Sequence, residues 1–93
     1  DYAHDELLAI GDKLLAGLHY HFAPGAREAF DEYLGLRARQ PHFANARSVR
    51  NALDRARLRQ ASRLFERRDD VLDAATLSAL APEDIRASRV FRT

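Results

Sequence analysis

The chain has no cysteine, no methionine and no tryptophan, and only three prolines and four glycines in 93 residues. Without cysteine there are no disulfides and no thiolate zinc sites. Gly11, Gly17, Gly25 and Gly35 are scattered, and none opens the glycine-rich turn with a following lysine that cradles nucleotide phosphates. His4, His19, His21 and His42 lack partners at a zinc-like spacing, so no metal site is expected. Ser48, Ser62, Ser78 and Ser88 stand in no nucleophile setting. No apolar run is long enough to span a bilayer, and no signal-peptide pattern is present. Period-two alternation is missing as well, so little or no sheet is expected.

The residues that are present describe one small domain with a thin core. The composition, 46% apolar and 31% charged, fits a folded soluble helical domain rather than a disordered tail. The formal net charge of +1 conceals an asymmetry. Residues 37–68 carry ten arginines against Asp54 and Glu66, a balance of +8, and the rest of the chain stands at −7. Every basic residue except Lys13 is arginine, whose planar fork grips carboxylates and phosphates. A solvated face with mutual salt links is the plain explanation for most of them. The chain opens at Asp1 without an initiator methionine and stops shortly after Val90-Phe91, which suggests part of a longer protein.

Helical spacing organises the chain. The first helix is expected over about 5–16, with Leu7, Leu8, Leu14, Leu15 and Leu18 as its apolar stripe and Asp5 and Glu6 at the positive end of its dipole. Gly17 is a plausible stop. Residues 18–22 form a connector that buries Tyr20 or Phe22. A second helix starts at Pro24, carries Ala26, Phe30, Tyr33 and Leu34 on one face, and ends near Arg39. Glu28, Asp31 and Glu32 read as its solvated side, and Pro41 keeps Gln40 out of the helix. Asp69-Asp70 breaks the helix that follows. Asp73 is a candidate cap for a short turn reaching Leu80, and Pro82 opens a last short helix with Ile85 facing inward.

Between these lies the most informative stretch, FANARSVRNALDRARLRQASRLF at 43–65. It reads as one helix from Asn45, a good N-cap type, to about Arg68. Ala46, Val49, Leu53, Ala56 and Leu64 make its buried stripe. Arg47 and Arg50 fall in its first two turns, three residues apart and near the positive helix end, where an anion is favoured. A salt bridge from Arg47 to the acidic first helix is the competing explanation. Arg55, Arg57, Arg59 and Arg63 lie farther along and are poorer phosphate candidates.

Two helices, a loop and then Asn45-Ala46-Arg47-Ser48-Val49-Arg50 resemble the helical lid of AAA+ ATPases. The resemblance implies an all-α bundle of about three main helices plus one or two short C-terminal ones, with the lid covering 1–93. It implies that Arg47 is the sensor 2 arginine that reaches the phosphates of ATP, with Arg50 as second choice and Asn45 as the helix cap at the site. Tyr2 is a candidate border for the adenine, with simple packing as its alternative. ATP and Mg would be bound mainly by a large subdomain outside this chain, so the chain alone is not expected to be an enzyme.

HFANARSVRNALDRARLRQASRLF, with YLGLRARQP before it and LSALAPEDIRASRVF after it, is similar to the C-terminal part of the red-type Rubisco activases of the CbbX kind. That resemblance covers nearly the whole chain. It implies a hexameric motor in a bacterial cytoplasm or plastid stroma. Its partners would be its own large subdomain, neighbouring subunits and the Rubisco large subunit, with no nucleic acid and no membrane. Secretion (type VII) and sporulation ATPases carry similar lids and remain alternatives. A free-standing arginine-rich module binding nucleic acid is another, although Asp54 and apolar positions interrupt its basic surface. A pure protein-interaction bundle is the third.

Overall fold

A computed structural model describes residues 2–67 and 72–92. Helix α1 spans His4–Gly17 and α2 spans Ala26–Arg37. The long α3 covers Asn45–Glu66, and α4 and α5 are single turns at Ala74–Leu77 and Pro82–Arg86. A 3₁₀ turn, Arg89–Arg92, follows. The expected helical bundle is present, with one small addition. His21–Phe22 (β1) and Ala79–Leu80 (β2) pair in parallel, His21 opposite Ala79 and Phe22 opposite Leu80. Two-residue strands are too short to show any alternation in sequence.

Local chemistry sets the ends of α1. The Glu6 carboxylate accepts from the Ala3 backbone N–H at 2.8 Å, satisfying a group the helix cannot. Leu7, Leu8 and Leu15 are buried, but Leu18 is exposed. The helix has ended by then, and the left-handed His19 turns the chain back, so Leu18 leaves the stripe expected of it. Gly11 is required by packing: a Cβ there would sit 2.8 Å from the Phe30 ring.

The second helix begins at Ala26, two residues later than expected at Pro24. Gly25 adopts φ 86°, in the left-handed region, so Pro24-Gly25 forms a turn instead of a first helical turn. Its expected face is buried: Ala26, Phe30, Tyr33 and Leu34, joined by Ala29. It ends at Arg37 rather than near Arg39.

Core packing joins these faces. Val49, Leu53, Ala56 and Leu64 of α3 are buried as the spacing predicts, and Ala46 is half-buried. Phe30 stacks on Tyr33 with centroids 5.7 Å apart and meets Phe22 at 5.6 Å. Ile85 of α5 closes the core from the other side. Burial of a side chain such as Leu53 contributes about 1.5–3 kcal/mol. Asp73 caps α4 as expected, its Oδ1 accepting from the Thr76 N–H at 2.8 Å, which holds its carboxyl below the usual range. Helix α3 ends at Glu66, with Arg67 already in a turn, so it stops short of the expected end near Arg68. The break at Asp69-Asp70 and Asp1 lie outside the described residues.

Candidate anion-facing entrance of the third helix

The loop before α3 is fixed by an arginine from α2. Arg37 donates to the Pro41 carbonyl at 3.1 Å and the His42 carbonyl at 3.4 Å, and its guanidinium lies 5.8 Å from the centre of the Phe43 ring. His42 and Asn45 both take left-handed backbone, φ 67° and 49°. The helix then starts, with Ala44 at the cap position.

Asn45 therefore does not cap α3, contrary to expectation. It is the first helical residue, and no side chain caps the helix at Ala44. The Ala44 N–H instead donates to the buried Ser48 Oγ at 2.8 Å. Asn suits the position because its short polar side chain tolerates left-handed backbone better than most residues.

Arg47 is exposed, and its backbone N–H is anchored to the Ala44 carbonyl at 3.1 Å. It has no ion pair or side-chain hydrogen bond among the described residues, so the competing bridge to the first helix is not formed there. No acidic residue occupies the first turn of α3. The terminus thus joins the positive end of a 22-residue dipole to an unengaged guanidinium. Chemically, it can accept a phosphate or carboxylate presented from outside.

Arg50, also exposed and unpaired among the described residues, lies in a different depression, beside Leu14 of α1 and Leu53 and Arg57 of α3. Tyr2 is half exposed and shares a shallow groove with His4, Leu7, Phe43 and Asn45. The structure therefore brings Tyr2 and Asn45 together, with Arg47 two residues farther along α3 and Arg50 on the side facing α1. Among the described residues, no cluster of His, Cys, Asp or Glu could hold a metal ion, and no helix is long and apolar enough to cross a membrane.

Farther along α3 are polar residues that sequence reasoning missed. Gln60 is buried, and its amide nitrogen donates to the carbonyls of Leu77 at 2.8 Å and Ala79 at 3.1 Å, tying α3 to β2. Arg63 meets Asp84 through two parallel bonds of 2.9 Å, with Asp84 only 2% exposed. Asp84 also accepts from the Ala81 N–H at 2.8 Å, which starts α5. The hydrogen bond to Asp84 pushes the Arg63 pKa above the ordinary arginine value. Arg59 adds a bond to the Asp84 carbonyl at 3.0 Å. An acid at the third position of a proline-started helix was a visible signal for the Ala81 bond, but nothing in the sequence pairs residue 84 with residue 63.

Against known proteins, the family model described as AAA lid domain matches residues 3–90. Protein CbbX of Cereibacter sphaeroides is 58% identical over 92 residues, which are 99% of this chain and 30% of that protein. The plasmid-encoded protein CbxX of Cupriavidus necator is 55% identical over 91 residues, 98% of this chain and 29% of the relative. The chloroplastic ribulose bisphosphate carboxylase/oxygenase activase of Cyanidioschyzon merolae is 50% identical over 92 residues, 99% of this chain and 31% of the relative. The chain thus spans about 30% of the length of these curated relatives.

Proposed function

The chain belongs to the AAA lid domain family, and from that premise we propose that it is the nucleotide-sensing lid of an AAA+ ATPase that remodels inhibited red-type Rubisco. The observation that carries this reading is the unengaged Arg47 on the acid-free entrance of α3, within a chain 58% identical to a CbbX protein. Arg47 acts as sensor 2, with Arg50 as the second choice. The lid occupies 1–93, and a large subdomain outside it holds ATP and Mg²⁺ and supplies the hydrolytic groups.

The residues present suit one part of that chemistry. An arginine fork at a positive helix end binds phosphate oxygens bidentately, and the absence of acids in the first turn avoids repulsion. Arg47 donates to the phosphates of a nucleotide seated on the large subdomain and stabilises negative charge there. The contact exists only in one range of lid angles, so it couples nucleotide state to the position of the lid. The rigid start of α3 aims the side chain: the Arg37 contacts fix the loop, and Ser48 fixes Ala44. In this reading Tyr2, half exposed in the groove it shares with Asn45, borders the base. Neighbouring subunits of a hexameric ring receive the lid motion, in a bacterial cytoplasm or plastid stroma.

Rubisco reactivation tests the proposal. The full-length parent with ATP is expected to restore carboxylation to red-type Rubisco inhibited by ribulose bisphosphate, and its Arg47→Ala form to do so poorly. A parent that hydrolyses ATP yet never reactivates such a Rubisco would keep the lid assignment and move the substrate to a secretion or sporulation relative.

A further inference from the structure

A cleft of about 860 Å³ lies away from Arg47 and is lined by arginines from three elements. Arg37 comes from α2, Arg55 and Arg59 from α3, and Arg89 from the C-terminal 3₁₀ turn, with Tyr33 among them. Among the described residues, no acidic side chain lines it. Two of the four guanidiniums are held in place by backbone carbonyls: Arg37 by Pro41 and His42, and Arg59 by Asp84. Arg55 and Arg89 have no hydrogen bond or ion pair among the described residues. Burial holds the Tyr33 hydroxyl above its ordinary value, and the charges of Arg37, Arg55 and Arg59 offset only part of that rise.

We propose that this cleft is a docking site for an extended acidic segment of another protein chain, with carboxylates at alternate positions. Three features argue for that occupant. Four arginines facing one cleft, with no lining acid among the described residues, create a positive potential that an acidic partner complements. Arg55 and Arg59 are one helical turn apart, so their Cβ atoms lie about 5–6 Å from each other. Carboxylates two residues apart on an extended strand are about 6.6–6.8 Å apart, close enough for each to meet one fork. Between the charges the cleft offers apolar surface from Pro41 and Val90, which suits the uncharged residues of such a strand. A single phosphate group would leave most of a cleft of this size unfilled. The bidentate geometry favours arginine over lysine on this surface, and only Arg is used.

Fluorescence anisotropy with labelled peptides tests the inference on the 93-residue chain, with circular dichroism recording that each variant is folded. The expected result is saturable, salt-sensitive binding of a short peptide alternating Glu and Ala. A Lys-Ala peptide should not bind, and one with the same glutamates in a contiguous block should bind more weakly. Reversing two charges, Arg55→Glu with Arg89→Glu, should weaken binding at least about tenfold, since each lost contact is charge-assisted. Arg89→Gln, on the terminal turn, provides the comparison if the double variant fails to fold. Arg27→Gln, at the seam with Asp12 of α1, should bind as the parent does. The proposal is overturned if the folded Arg89→Gln and Arg55/Arg89 variants keep full affinity, or if the blocked peptide binds equally well. It is also overturned if pyrophosphate binds at these arginines while the alternating peptide does not.

Discussion

The two halves of α3 carry the same residue type to opposite ends. At the entrance, Arg47 and Arg50 are exposed and hold no partner among the described residues. At the exit, Arg63 is locked onto a carboxylate that is 2% exposed, and Gln60 is spent on backbone carbonyls of the C-terminal segment. Burial of the partner decides the difference. An arginine beside a buried acid is part of the fold, because losing it would strand a charge away from water. An arginine left in solvent at a helix's positive end costs the fold little and is available to a ligand. Arginine content alone therefore says nothing about function on this helix; the surroundings of each guanidinium do.

Leu53, midway between the halves, is the place to break both at once. Leu53→Asp puts an unpaired charge in a site 1% exposed and should abolish the cooperative thermal transition seen by circular dichroism. A variant that melts like the parent would mean that the two halves do not share one core.

Arg63→Ala should come next in size. It leaves Asp84 buried with its Ala81 bond but without its cation, a loss of about 3 kcal/mol. For a domain of this size that lowers the melting temperature by more than ~10 °C. A melt within a degree or two of the parent would show that the exit pair is not structural.

The entrance should respond to backbone rather than to charge. Asn45 sits at φ 49°, so Asn45→Gly should leave stability nearly unchanged, whereas Asn45→Val should cost about 1–3 kcal/mol in a thermal melt. If Asn45 were acting as a cap, Asn45→Ser, an equally good capping residue, would keep the parent's stability, whereas the left-handed backbone predicts a loss.

These contrasts follow what the sequence could and could not convey. The stripe of Val49, Leu53, Ala56 and Leu64 was legible because burial on one face leaves a 3.6-residue period in the residues themselves. The exposure of Arg47 and Arg50 was legible for the same reason, since both fall off that stripe. Asn45 was picked out correctly as special for the wrong reason: capping and left-handed backbone both favour Asn, and only coordinates separate them. Pro24 misled because Gly25, one residue later, took the turn. The Arg63–Asp84 pair and the Gln60 bonds were illegible, since they join residues many positions apart and no local pattern records which helix an arginine will meet. The arginine cleft was hidden likewise, because Arg89 joins Arg37, Arg55 and Arg59 only after folding.

ATP turnover by the full-length protein carrying Arg47→Ala tests the central contrast most directly. A charge-assisted contact is worth roughly 1.5–3 kcal/mol, so turnover should fall about tenfold or more. The melting temperature should stay close to that of the parent, because an exposed, unpaired side chain adds little to stability. Unchanged turnover, or a melt lowered as far as that of Arg63→Ala, would contradict the account and return Arg47 to the ordinary surface.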